Sequence, residues 1–421
     1  MARQSAGLSE PEDEMSGDDP QFLPDGLVTS PQRFVAGGSY VGLKTYAPNK
    51  MDVGLLLSEL PCRTAGVYTT NKFVSPSVTL TRQNVAAGKV RGVFVTSGIA
   101  NAGVGEQGMT DVKECLALAA DHLGIEPDEL GAGTTGIIGV ELPMALIRGG
   151  MSTITVGPGG GDAFARSIMT TDRVPKSAAV TFTCSGGETV TIGGCTKGSG
   201  MIHPNMATML AFLTTDAAVD GAFLDAALRN CSDDTFNMVT IDGDTSTNDM
   251  VLLLANGAAG NAEIREGSPD AEAFASALYA LCSHLSRELV RDAEGSEKIF
   301  SVRVSGAASQ RDARLAARAI AASLLVKSAI HGNDPNWGRV VCAAGYSGAE
   351  LDASKVSFFI NDLAIMEGGT PIPFHRESVI AIMSRDEVAL TVTLGLGEHA
   401  ATAWGCELTE EYVVFNSAYT T

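Results

Sequence analysis

The chain has no C-x-x-C pair, no apolar run near the ~18 residues of a membrane span, and few basic residues for its length. Each shortage removes a class of function. The eight cysteines (62, 115, 184, 195, 231, 282, 342 and 406) are scattered, and several sit in apolar runs, as Cys282 does in ALYALCSHL and Cys342 in RVVCAAG. Buried, reduced thiols are expected, not a disulfide or metal framework. Lys and Arg total 29 against 49 Asp and Glu, and the net charge of −20 repels phosphate backbones, which argues against a nucleic-acid partner. The opening stretch MARQSAGLSEPEDEMSGDDP has neither a basic start nor an apolar h-region. No signal peptide and no membrane partner are expected, and the chain reads as soluble and cytoplasmic.

Familiar catalytic signatures are missing too. There is no G-x-x-x-x-G-K-[ST], no H-E-x-x-H and no G-x-S-x-G. The six histidines (122, 203, 284, 331, 375 and 399) show no metal-ligand spacing, and DGDTSTND at 242–249 does not match an EF-hand loop. No metal is expected. GVGEQG at 103–108 is a literal G-x-G-x-x-G after a strand-like run and before a helix. Two features argue against a dinucleotide site. About twelve residues are expected between strand core and helix, longer than the tight turn such a site requires, and no strand ending in Asp or Glu follows.

What remains is a glycine-rich α/β pattern. With 421 residues, 45 % of them hydrophobic, the chain can build one large or two medium domains, and its 47 glycines indicate many tight turns. Residues 1 to about 30 are acidic and rich in Pro, Gly and Ser, so a mobile tail is expected, with order from near Phe34. Strand-like runs lie at 53–57, 65–70, 77–82, 90–97, 178–184, 190–196 and 207–219, and later at 301–307, 355–362 and 387–397. Helical spacing marks 109–124, with Thr110 or Asp111 near the cap and Gly124 at the end, then 142–151, 221–234, 271–291 and 313–330. GPGGGD at 157–162 reads as a loop. Strands and helices mix throughout, which predicts a layered α/β architecture.

The most unusual stretch is KGSGMIHPNMATMLAFLTTD (197–216). Glycines, a proline and an asparagine crowd the residues before Thr208, and a clean apolar strand pattern follows it. A hydroxyl at such a junction suits an N→O acyl shift, in which Thr208 attacks the carbonyl of Ala207 and water hydrolyses the ester. Thr208 would then head a new chain, its own α-amine, titrating near pH ~7.7–8.0, serving as base for its hydroxyl. Read alone, the stretch is more simply a glycine loop leading into an ordinary strand. His203, five positions earlier, reads as structural because it would sit on the other fragment, behind Pro204.

KGSGMIHPNMATML resembles the autoprocessing motif of the ornithine acetyltransferase (glutamate N-acetyltransferase) family of arginine biosynthesis, where cleavage falls between Ala and Thr. Further blocks are similar, in order: TTG at 134–136, IMTTD at 168–172, TFNMVTIDGDTSTND at 235–249, DAEG at 292–295, HGNDPNWGRV at 331–340 and NSAYTT at 416–421. The likeness runs from about residue 32 to the end. It implies a layered α/β sandwich of the N-terminal-nucleophile-like type, self-cleaved into an α fragment (32–207) and a β fragment (208–421) behind the tail (1–31). Thr208 would be the nucleophile, and Thr135 and Gly136 the oxyanion pair. Thr170, Lys197, Glu294, Asn416 and Thr421 would join Thr208 in binding substrate. Lys197 and Glu294 offer one charge of each sign, as an amino acid requires, and a role for Asn416 and Thr421 requires the C-terminus to fold back into the cleft.

The resemblance implies acetyl transfer from N2-acetylornithine to glutamate, with no cofactor and with the cleaved fragments held in a heterotetramer. Acetyl-CoA as a second donor is left open. Three blocks depart from the family pattern. TSGIANA (96–102) lacks two of its asparagines, TTDRVPK (170–176) carries arginine where threonine is usual, and SEK follows DAEG in place of Ala-Thr-Lys. They leave room for a paralogous acyltransferase of secondary metabolism with another acceptor. Two further readings stay open: a threonine amidohydrolase or aminopeptidase, and an uncleaved small-molecule-binding protein.

Overall fold

A computed structural model describes residues 20–44, 50–203 and 209–418. Three sheets carry it. Strands Phe34–Ser39, Val53–Ser58, Gly92–Ile99 and Leu130–Ile137 form a four-stranded sheet in that order. A six-stranded sheet runs Gln21–Phe22, Lys176–Thr183, Thr189–Lys197, Leu210–Thr215, Met250–Ala255 and Arg63–Tyr68. In a seven-stranded sheet, Ile299–Ala307 lies between His399–Cys406 and Glu387–Thr393.

The first two sheets stack face to face, and alternation along each strand shows why. Leu210, Phe212, Met250, Leu252 and Leu254 face Leu56, Val93 and Val95 between the sheets. Ala211, Leu213, Val251 and Leu253 point the other way, onto helices Gly221–Asp234 and Ala271–Arg291. A period of two with both sets apolar is what a strand covered on both faces needs. The outer face of the four-stranded sheet is covered by Val112, Cys115, Leu116 and Ala119 of helix Gly105–Leu123. The result is a helix–sheet–sheet–helix stack, with the seven-stranded sheet continuing the second core. This is the layered α/β class expected. Among the described residues no helix is long and apolar enough to cross a membrane.

Most strands lie where the alternation put them, and the differences have local causes. The run at 77–82, expected as a strand, is helix Pro76–Ala86. Ser75 caps it through the Val78 amide and Pro76 occupies its first position, start signals that outweigh the β-branched residues. The single helix expected over 313–330 breaks at Ser323 (ψ 117°), whose hydroxyl caps a second helix, Leu324–His331. The helix expected from 109 already begins at Gly105, and Gly124 ends it in the left-handed region (φ 69°). The length argument against GVGEQG therefore fails: residues 100–104 alone separate strand Gly92–Ile99 from that helix, which leads into the parallel strand Leu130–Ile137. That second strand carries no acidic residue. Helix Gly161–Ser167 starts inside the expected 157–162 loop.

Order does not wait for Phe34. Gln21 and Phe22 pair with Thr181 and Val180, and Val28 is fully buried, so residues 20–31 are packed and not tail. Cys342, expected inside, is exposed; six of the other cysteines are buried and none of the eight is bridged.

Candidate active site

Strand Leu130–Ile137 rises beside strand Gly92–Ile99 to a kink where Gly98 pairs with Gly136 and the register shifts. Gly136 has φ +127°, and a β-carbon there would meet the Gly98 carbonyl carbon at 2.2 Å, so no other residue fits. Asn248 fixes this corner: its Nδ2 donates to the carbonyls of Ala100 and Thr134 at 2.6 and 2.9 Å. The kink turns Thr135 and Gly136 into a cleft of about 240 Å3.

The opposite wall comes from strand Thr189–Lys197. Its last residue, Lys197, is buried and donates from Nζ to Thr135 Oγ1 at 3.2 Å. Burial pulls the Lys197 ammonium below its ordinary pKa, and the nearby Asp172 carboxylate opposes that pull. Asp172 is itself buried, which works against its charge, yet the Lys176 and Lys197 ammoniums hold its carboxyl well below the usual range. Glu294 enters from the turn after helix Ala271–Arg291, and the C-terminal helix Glu410–Ala418 brings Asn416, whose Nδ2 donates to Glu294 Oε2 at 2.9 Å.

Thr135, Gly136, Thr170, Lys197, Glu294 and Asn416 thus line one cleft, although they are spread from residue 135 to 416. The fold-back required of Asn416 is present. Ala207, Thr208 and Thr421 lie outside the described residues. The chain on either side of 204–208 is well fixed. Asp242 accepts from the amides of Met201 and Ile202 at 2.5 and 2.8 Å, and Leu210 pairs with Lys197 in the sheet. Burial raises the Asp242 carboxyl above its ordinary value.

His203 contacts Thr240 and Arg318, and burial followed by the Arg318 charge lowers it to about 4, so the ring is neutral near pH 7. That arrangement matches the structural reading of His203. HGNDPNWGRV braces the loop beyond Glu294. His331 Nδ1 meets Glu407 Oε2 at 2.8 Å, Glu407 Oε1 accepts the amides of Glu297 and Lys298, and Lys298 Nζ donates to Asn333.

Sequence reasoning missed Asn248, Thr171, Ser246 and Thr247 on the cleft wall, and the Asp172–Lys176–Asp292 chain behind it. Both groups sat inside blocks already noticed, TTDRVPK, DGDTSTND and DAEG. The signal was a Lys four residues after an Asp in a segment with few other charges. Among the described residues no group of His, Cys, Asp and Glu has the geometry to hold a metal.

The comparisons with known proteins agree with one another. The ArgJ family model matches residues 35–421. The chain is similar to the arginine biosynthesis bifunctional protein ArgJ of Symbiobacterium thermophilum, 51 % identical over 398 residues that cover 94 % of this chain and 99 % of the relative. The protein of the same name from Dehalococcoides mccartyi is 42 % identical over 400 residues, covering 95 % and 98 %. Among solved structures, ArgJ of Bacillus halodurans is 42 % identical over 50 % of this chain and 100 % of that chain, with a TM-score of 0.49.

Proposed function

This chain belongs to the ArgJ family, and on that premise we propose that it cleaves itself before Thr208 and carries an acetyl group on that residue. It is an acetyl-transferring enzyme of arginine biosynthesis. In the proposed reaction the Thr208 hydroxyl attacks the acetyl carbonyl of N2-acetylornithine and its own α-amine takes the hydroxyl proton. The Thr135 hydroxyl and Gly136 amide donate to the oxyanion. Collapse breaks the amide bond, the proton passes to the leaving amine, and ornithine departs. The amine of glutamate then attacks the acetyl-threonine ester through the reverse sequence, releasing N-acetylglutamate and restoring the threonine. No cofactor enters either half.

The observation that carries this reading is the convergence of the oxyanion pair with a cation and an anion in one cleft. Lys197 stands beside Thr135 and suits the α-carboxylate beside the acetylated nitrogen, while Glu294, with Asn416 on it, suits the distant side-chain ammonium. Chain connectivity supports Thr208 as the nucleophile. Leu210 is the ladder partner of Lys197, and two residues reach about 7 Å at most.

The proposed fragments share one sheet: strands Leu210–Thr215 and Met250–Ala255 lie between Thr189–Lys197 and Arg63–Tyr68. Cleavage at 207/208 would leave these ladders intact, which favours fragments that stay together. Pairing of two such units into a cytoplasmic heterotetramer belongs to the same proposal.

The test is the denatured intact mass of the protein beside Thr208→Ala, followed by acetyl transfer kinetics. Two fragments meeting at 207/208, an uncut variant and parallel-line ping-pong kinetics are expected. An uncut wild-type chain with no acetyl-enzyme overturns the reading, and acetate released faster than glutamate is acetylated makes the protein a hydrolase instead.

A further inference from the structure

We propose that Asp172, backed by Lys176 and Asp292, is a positioning group: it holds Lys197 and the Gly198 amide so that the Thr135 hydroxyl hydrogen faces the cleft. The proposal rests on the acyl-transfer reading above and deepens it. A threonine hydroxyl has one hydrogen and two lone pairs. An ammonium at Lys197 can only donate, so it occupies a lone pair of Thr135 Oγ1 and leaves the hydrogen free for a developing oxyanion. A neutral amine in the same place can accept that hydrogen, and the oxyanion donor would be lost. Both the place and the charge of Lys197 therefore matter.

Asp172 supplies both. Its Oδ1 accepts from the Gly198 amide and from Lys176 Nζ, each at 2.7 Å, and its Oδ2 accepts from the Thr170 amide at 3.0 Å. One carboxylate thus ties together the residue after Lys197 and the amide of Thr170, which also lines the cleft. Lys176 turns its ammonium equally to Asp292 Oδ2 at 2.6 Å, and both side chains are almost fully buried. Asp292 closes the chain by accepting from the amide and Nε of Arg173, each at 3.0 Å. Arg173 thereby adds a guanidinium to the network. The ions also span the proposed cleavage point, with Asp172, Arg173 and Lys176 before it and Asp292 after.

The charged groups facing Lys197 are Asp172, Lys176, Glu294 and Asp249, with Lys44 beyond. Burial lowers the Lys197 pKa, and Asp172 is the strongest group opposing that loss of charge. Without that carboxylate, burial lowers the Lys197 amine further.

The experiment measures acetyl-enzyme formation against pH for the processed wild type, Asp172→Asn, Thr135→Val and the double variant. Asp172→Asn is expected to lower kcat about 10²- to 10³-fold, the size of losing one oxyanion donor, and to raise KM as well, because Lys197 also meets the substrate carboxylate. Its alkaline limb should move to lower pH. Adding Thr135→Val to Asp172→Asn should cost less than tenfold more, since both act on one hydroxyl. If Asp172→Asn does not fold, Asp292→Asn carries the same test one ion further out, with a smaller shift in the same direction. A variant that folds and is processed with the wild-type alkaline limb and additive losses overturns the positioning role. A wild-type protein that neither cuts itself nor acylates overturns the functional reading instead.

Discussion

The cleft at Lys197 and the hollow between helices Gly221–Asp234 and Ala271–Arg291 are both open to a small molecule, yet they are built from opposite ingredients. The hollow is the larger, about 580 Å3 against about 240 Å3. Its charged lining is all of one sign: Asp220, Asp234, Glu266 and Glu272, beside Phe223 and Tyr279. The cleft brings a buried ammonium, a carboxylate, two carboxamides and several hydroxyls onto one small volume. Size follows from how two helices diverge. Convergence of unlike polar groups requires each to be held against its desolvation cost, and chance packing rarely provides that.

The contrast can be broken or sharpened by substitution. The largest effect is expected from Gly136→Ala, because a β-carbon has no room beside Gly98 and the backbone is left-handed. A loss of about 3 kcal/mol in stability, read by denaturant melts, should accompany loss of activity. Thr135→Val, nearly isosteric, should keep the fold and lower kcat about 10²- to 10³-fold. An unchanged kcat would remove Thr135 from the oxyanion role. Glu294→Gln should raise KM for acetylornithine on the order of 10- to 100-fold while leaving kcat nearly alone, since one charge-assisted contact is lost.

A fourth prediction concerns pH. His203 titrates ordinarily near 6.5 but at about 4 in the fold, so the unfolded chain binds its proton first. Its contribution is complete above about 6.5 and is lost as pH falls toward 4. The loss should reach a few kcal/mol at most and be absent in His203→Asn, as urea melts across that window would show. The smallest effect belongs to the hollow. Tyr279→Ser and Glu272→Gln, both distant from the cleft, should change acetyl transfer less than twofold; a larger loss would mean that the hollow takes part.

Legibility differed between elements for local reasons. Strand Leu210–Thr215 was plain because both faces are buried and alternation survives, whereas Met250–Ala255, equally buried, was not among the expected strands. Helix Pro76–Ala86 was hidden by β-branched residues, and its Ser-Pro cap outweighed them. Strand Leu130–Ile137 was not among the expected strands, because its glycines, which make room for neighbours, interrupt the apolar pattern: at Gly133 a β-carbon would meet Phe212 at 2.8 Å. Asn248 sat in a stretch that looked like turn chemistry, and only the folded chain shows its amide on Ala100 and Thr134.

By itself the sequence determined the layered α/β class, the alternation that covers both faces of the central strands, and the residue types at Thr135, Gly136, Lys197 and Glu294. Those follow from local preference and from ordered blocks along the chain. The tertiary structure alone decided that Asn416 reaches Glu294, that residues 20–31 are packed, and that Lys176 lies between Asp172 and Asp292. No periodicity records these meetings, because the first two join segments far apart in sequence and the last pairs charges that must not be left alone once the sheets have closed around them.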